Sequence, residues 1–210
     1  MSPIPTQMTS HWWQRPGRLP GRELYHWHML FHDQPEVHKV VAAGQAKIAD
    51  QAGLDMIPIP WLHLTTYVVG FADEVADSAI EVMVADASRR LSAVAPIQVS
   101  LGRIGYATQA IVLLAEPAGA LSPVLDAVRA ATRCAGFDGY TDTDPWIPHV
   151  SIAYSNSSIP MAPIVDALGR RLPETEITIR SINLVAQTQV GRSWQWRSAA
   201  EILLADRPMT

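Results

Sequence analysis

The sequence predicts an α+β fold with two pseudo-symmetric lobes, not a doubly wound parallel sheet. Two observations carry this. Strands and helices run in the order strand, helix, strand, helix, strand pair, helix, strand, helix, strand pair, so strand–helix units recur in both halves of the chain. Two of the strands also share one local design, His-Leu-Thr-Thr at 63–66 and His-Val-Ser-Ile at 149–152.

The elements follow in order. Residues 1–21 carry Pro3, Pro5, Pro16 and Pro20 and are expected to form an irregular arm, pinned to the body by Trp12 and Trp13. Residues 22–206 are expected to form a single bilobal domain. Leu24 to Phe31 (LYHWHMLF) reads as an aromatic-rich strand. Glu36 to Ala52 reads as a helix with Val37, Val40, Val41 and Ile48 mostly on one side, stopped by Gly53. The β-branched stretch Trp61 to Val69 is a strand. Asp73 is the expected N-cap of a helix reaching about Val94. Strands Ile97 to Gly102 and Gln109 to Ala115 are expected to be joined by a glycine-containing hairpin loop. Ser122-Pro123 starts a helix ending near Gly136. A polar loop, FDGYTDTDPW, leads to a strand from Ile147 to Tyr154. Pro160 to Arg171 reads as a helix, and Ile177 to Gln187 with Gln195 to Ala205 as two closing strands around Gly191.

Composition narrows the function. Hydrophobic residues make up 48% of the 210, enough for a sizeable core. The 16 basic and 20 acidic side chains give a net charge of −4, which argues against extended wrapping of a nucleic acid. A small nucleotide or the terminus of an RNA is the expected partner. The pairs Arg89-Arg90 and Arg170-Arg171 read as solvated helix faces. Cys134 is the single cysteine, so an internal disulfide and a thiolate zinc site are excluded. Its Ala-rich surroundings suggest buried packing, and one unpaired thiol fits a reducing, cytoplasmic setting. No apolar run is long enough to span a membrane.

Chemistry points to the two twin strands. Residues two apart on a strand share a face, so His63 projects with Thr65 and His149 with Ser151. Leu64, Val150 and Ile152 point the other way, into an apolar core. Phosphodiester cleavage needs a base for the attacking oxygen and an acid for the leaving oxygen. Imidazole, with an ordinary pKa of about 6.5, suits both roles. The two hydroxyls can donate hydrogen bonds to phosphate oxygens as charge develops. This scheme calls for no metal and no cofactor.

The paired His-x-Thr/Ser-x motifs resemble the signature of the two-histidine (2H) phosphoesterase superfamily, which includes 2′,5′ RNA ligase-like and cyclic phosphodiesterase proteins. The resemblance in plan covers roughly residues 22–206. It implies two antiparallel-rich sheets facing a central cleft, helices outside, and both motifs lining the cleft. It implies metal-independent action on 2′,3′-cyclic phosphates or 2′,5′-linked nucleotides and RNA ends. His63 and His149 would be the acid–base pair, with Thr65 and Ser151 holding the phosphate. Ligase-like members often place an arginine five residues after the second histidine. Tyr154 stands there in this chain, which argues against 2′,5′ RNA ligation. A non-catalytic nucleotide or RNA-end binding module on the same fold is the other alternative.

Further candidates come from neighbouring positions. His26 and His28 alternate on the first strand and are expected on the cleft wall, against substrate, while Trp27, Met29 and Phe31 pack inward. Their His-x-His spacing also suits a metal, but no acidic or cysteine partner sits at a telling distance. Tyr154, Trp61 and Trp146 are candidates to contact or stack on a nucleobase, as are Trp194 and Trp196.

Overall fold

The computed structural model describes residues 3–13, 15, 17–141 and 145–205. Eleven strands and four α-helices are assigned among them. In chain order these are β1 (Gln7–Met8), β2 (Leu24–Leu30), α1 (Pro35–Lys47), β3 (Leu54–Met56), β4 (His63–Phe71), α2 (Asp77–Leu91), β5 (Ile97–Tyr106), β6 (Ala110–Glu116), α3 (Ser122–Cys134), β7 (His149–Ser155), β8 (Ile159–Pro160), α4 (Ala162–Leu168), β9 (Arg171–Ile179), β10 (Ser181–Val190) and β11 (Ser193–Leu203). Short 3₁₀ turns precede β4, α2 and α3.

Two larger sheets form the lobes. The first has the order β11-β10-β2-β4 and the second β3-β7-β6-β5-β9, and every pairing is antiparallel. The predicted α+β, two-lobed plan is therefore correct. The lobes are nevertheless not consecutive halves of the chain. The closing hairpin β10–β11 returns to pair with β2, so both ends of the domain build the first sheet.

Helices cover the outer face of each sheet. Behind the first, the Trp27 indole donates to Thr132 Oγ1 of α3 at 3.1 Å, and that hydroxyl donates to the Val128 carbonyl and approaches Met83 Sδ of α2. Behind the second, α1 packs so closely that Gly44 faces Ile152 of β7 and Leu172 of β9. Trp27, Met29, Phe31, Leu64, Val150 and Ile152 are all fully buried in this packing, on the faces the alternation assigned to the core. No helix among the described residues is long and apolar enough to cross a membrane.

Several boundaries differ from expectation, each for a physical reason. Asp73 does not cap a helix: it lies in a 3₁₀ turn, bound by Arg22 at 2.8 Å, and α2 begins at Asp77 after Ala76. Gly102 and Gly105 lie inside β5, not in a hairpin loop. At Gly102 the backbone of β9 comes so near that a Cβ would sit 3.0 Å from Glu174 Cα, so the missing side chain permits close strand approach at a bulge. The expected helix from Pro160 is only Ala162–Leu168, and Arg171–Ile179 is a strand despite Pro173. Strand β9 is an edge strand, where an absent N–H costs no ladder bond. Cys134 is exposed at the end of α3, which corrects the expectation of buried packing. The arm is not wholly irregular either: Gln7–Met8 pairs with β8 and Met8 is fully buried. Of the polar loop before β7, residues 142–144 lie outside the described residues.

Candidate active site

His63 opens β4 and His149 opens β7. Each imidazole is held the same way. His63 Nδ1 bonds the Trp61 carbonyl at 2.9 Å, and His149 Nδ1 bonds the Ile147 carbonyl at 2.7 Å, in both cases two residues upstream. A carbonyl oxygen only accepts, so each Nδ1 carries the hydrogen. Nε2 is then the atom through which either ring exchanges a proton. The local cause is shared: a turn brings the upstream carbonyl under the ring as the chain enters the strand. Pro60 lies in the turn before His63 and Pro148 immediately precedes His149.

Their surroundings differ. His63 is 9% exposed whereas His149 is half-buried. Burial, and then the nearby His149 charge, lower the His63 pKa to about 4, against the opposing effect of the Trp61 carbonyl bond. His63 is therefore neutral across the physiological range.

Thr65 and Ser151 lie two residues along their strands, both on the faces carrying the histidines. Thr65 pairs across to His28, and Ser151 pairs across to Val112. Ser151 is 8% exposed and Thr65 is half-buried. Trp146 ties the two motifs together: from the loop before β7, its indole N–H donates to the Thr65 carbonyl at 3.1 Å. The indole N–H is thus engaged with the backbone of the first motif strand. Trp61 supplies the carbonyl under His63, and its ring meets Trp196 edge-on at 4.9 Å.

His26 and His28 do face the His63 side, but they are 3% and 0% exposed and lie beneath the surface instead of on an open wall. His26, His28 and His63 form a row with ring centroids 5.1 and 4.4 Å apart. His26 Nδ1 donates to the Leu24 carbonyl, and His28 Nδ1 to the Trp27 carbonyl. His28 Nε2 therefore accepts the Gln187 amide at 3.2 Å. Burial, then Arg18, takes the His26 pKa to about 3, and burial with the His63 and His26 charges takes His28 well below 6.5. This is a row of neutral rings. No group of three or more His, Cys, Asp or Glu side chains among the described residues is arranged to hold a metal ion.

Tyr154 lines a small cavity with His63, Trp61, Asp55, Arg192 and Trp194. Its ring is already covered: His11 stacks on it at 3.9 Å and 12°. His11 also accepts the Trp194 indole N–H at 2.9 Å, and burial with Arg15, Arg18 and His63 lowers its pKa to about 3. Sequence reasoning singled out neither His11 nor Arg192, whose guanidinium lies 3.3 Å from Asp55. His11 sits in a proline-flanked arm, without the periodicity that would place it beside a strand.

Comparison with known proteins identifies the family and supports the fold. A family model described as the 2′-5′ RNA ligase superfamily matches residues 34–191. No curated protein matches. Among solved structures, a phosphoesterase superposes with a TM-score of 0.70 at 13% identity, over 88% of this chain and 99% of its own. Escherichia coli LigT complexed with NADP+ gives 0.67 at 13% identity, over 88% and 99%. TT0787 of Thermus thermophilus gives 0.66 at 18% identity, over 86% and 97%. With its paired histidine strands and a family match over most of its length, the chain belongs to the 2′-5′ RNA ligase superfamily, the 2H phosphoesterases.

Proposed function

We propose that this protein is a metal-independent phosphodiesterase acting on 2′,3′-cyclic phosphates or on 2′,5′-linked nucleotides and RNA ends, with His63 as general base and His149 as general acid. The observation that supports it most is the matched anchoring of both imidazoles through Nδ1 to the backbone, combined with unequal burial. A fixed tautomer leaves one nitrogen per ring for proton transfer, and the buried, neutral His63 is the ring fit to accept a proton.

For a cyclic phosphate, water attacks phosphorus and gives its proton to His63 Nε2. The new P–O bond forms as the bond to the 2′ or 3′ ribose oxygen breaks. That oxygen takes a proton from His149 Nε2. Exchange of the two protons with solvent resets the pair. An anionic phosphate bound beside His63 raises the ring's proton affinity at the moment it must act. The Thr65 and Ser151 hydroxyls donate to the non-bridging oxygens. LigT, which shares the fold, has been crystallised with NADP+, ATP and 3′-AMP, so this architecture accommodates nucleotides in that protein.

The test is hydrolysis of 2′,3′-cyclic mononucleotides and 2′,5′-linked dinucleotides in the presence of EDTA. Activity should persist under chelation and fall about 10²–10⁴-fold in His63→Ala and in His149→Ala. Full activity in both variants refutes the assignment.

A further inference from the structure

The N-terminal arm crosses from one sheet to the other. Its first half is fixed to the second sheet's side: Thr9 N–H donates to the Thr108 carbonyl and His11 N–H to the Ser155 carbonyl, both at 2.7 Å, and the Trp12 indole donates to Asp55 at 2.8 Å. Its second half is fixed to the first sheet. Arg22 lies 3.6 Å above the Phe71 ring and pairs with Asp73 and Glu74. Between these anchors, the arm and the β10–β11 turn flank an open cleft of about 460 Å³. That volume falls within the usual range of small-molecule sites.

The lining is chemically one-sided. It includes Trp12, Trp13 and Trp194 together with Arg15, Arg18 and Arg22, and among the described residues it contains no aspartate or glutamate. In a chain of net charge −4, Arg15 and Arg18 bring positive charge to this lining, while the charge of Arg22 is offset by Asp73 and Glu74. The Arg18 and Arg15 guanidinium carbons lie 4.8 and 5.6 Å from the centroid of the same Trp194 ring. Guanidinium groups bind phosphate through paired N–H donors, and indole planes stack on bases of any identity. Trp194 is also a wall of the small cavity that contains His63, so the two spaces adjoin.

We propose that this cleft is a second nucleotide subsite. It holds the base and phosphate of the nucleotide adjoining the one whose phosphodiester reacts at His63 and His149. The substrate is then an oligonucleotide end instead of an isolated cyclic mononucleotide. This deepens the function proposed above and rests on it for the direction of the substrate, but not for the binding itself.

Two measurements separate the claims. The first is intrinsic tryptophan fluorescence of the full chain titrated with AMP, adenosine and inorganic phosphate. AMP should quench, adenosine should bind at least about tenfold more weakly, and Arg15→Gln/Arg18→Gln should weaken AMP at least about tenfold. Equal affinity for adenosine and AMP, or AMP binding unmoved by the double variant, overturns the subsite. The phosphate titration decides whether the arginines hold an anion alone. If phosphate binds as tightly as AMP, the base-stacking half of the proposal is wrong.

The second is the ratio of kcat/KM for a dinucleotide ending in a 2′,3′-cyclic phosphate to that for the cyclic mononucleotide. The ratio should fall at least about tenfold in the double variant. It should stay constant in Arg133→Gln, which removes one positive charge from the exposed end of α3. A constant ratio in the double variant overturns the subsite while leaving the hydrolase intact. AMP binding that depends on the arginines, without turnover of either substrate, keeps the subsite and refutes the hydrolase.

Discussion

Acidification should unfold this protein unusually early, because four histidines are built in as neutral rings. Folding holds His63 at about 4 and His26 and His11 at about 3, with His28 also well below 6.5. In the unfolded chain each returns to about 6.5. The native state therefore binds fewer protons than the unfolded state between these values. The stability this represents is fully present above pH 6.5 and is lost as the pH falls towards the native pKa. From about pH 7.5 to about pH 5, linkage gives a loss of about 2 kcal/mol for each of His63, His26 and His11. These three rings set an upper limit of about 6 kcal/mol, comparable with the whole stability of a typical domain, and His28 acts in the same direction. Urea denaturation at a series of pH values reads the slope directly. Replacing His26 by Leu should flatten the mean slope over this window by about 0.8 kcal/mol per pH unit, and by about 1.3 near pH 5, where almost one full proton is taken up. A stability that stays level from pH 7.5 to 5, or an undiminished slope in that variant, refutes the reading of these rings as neutral.

Other consequences are more local. Trp146→Phe removes the indole bond to the Thr65 carbonyl and should cost about 1 kcal/mol by denaturation, with kcat reduced more than KM is raised, since the motif strand loses its tether. Gly139→Ala should cost about 3 kcal/mol or more, measured the same way. Gly139 has φ +54°, and a Cβ there would press on the Tyr67 ring and lie 2.5 Å from the Val68 carbonyl. Gly139 adjoins Tyr140, which bridges to Val68 of β4, and a loss below about 1 kcal/mol in Gly139→Ala would refute the close packing of this loop on that strand.

Which side chains share a face in the two motifs was more legible than the strand boundaries around them. His63 with Thr65 and His149 with Ser151 could be read because strand alternation is local and requires no knowledge of partners. Strand β9 could not, because Pro173 argues against a strand unless its edge position is known. Strand β5 was cut short at Gly102 because glycine signals a turn as readily as a close approach between strands. His26 and His28 were placed on the correct face but at the wrong depth. Alternation gives the side of a sheet, whereas burial depends on Gln187 and Trp196, which come from the far end of the chain. The role of the arm was legible only as pinning tryptophans. Its contact with Tyr154 depends on a crossing between sheets that leaves no periodic trace.

The allocation of strands has a consequence for how the molecule can be divided. The chain passes from the first sheet to the second and back before β4, and α3, which follows β6 of the second sheet, packs behind the first. A cut between the two histidine strands therefore does not release two small domains. Each fragment would carry strands without their neighbours and helices without the sheet they cover. Gene halves expressed separately should be insoluble alone and regain structure only when mixed, so the acid–base pair is inherited by the whole chain or not at all.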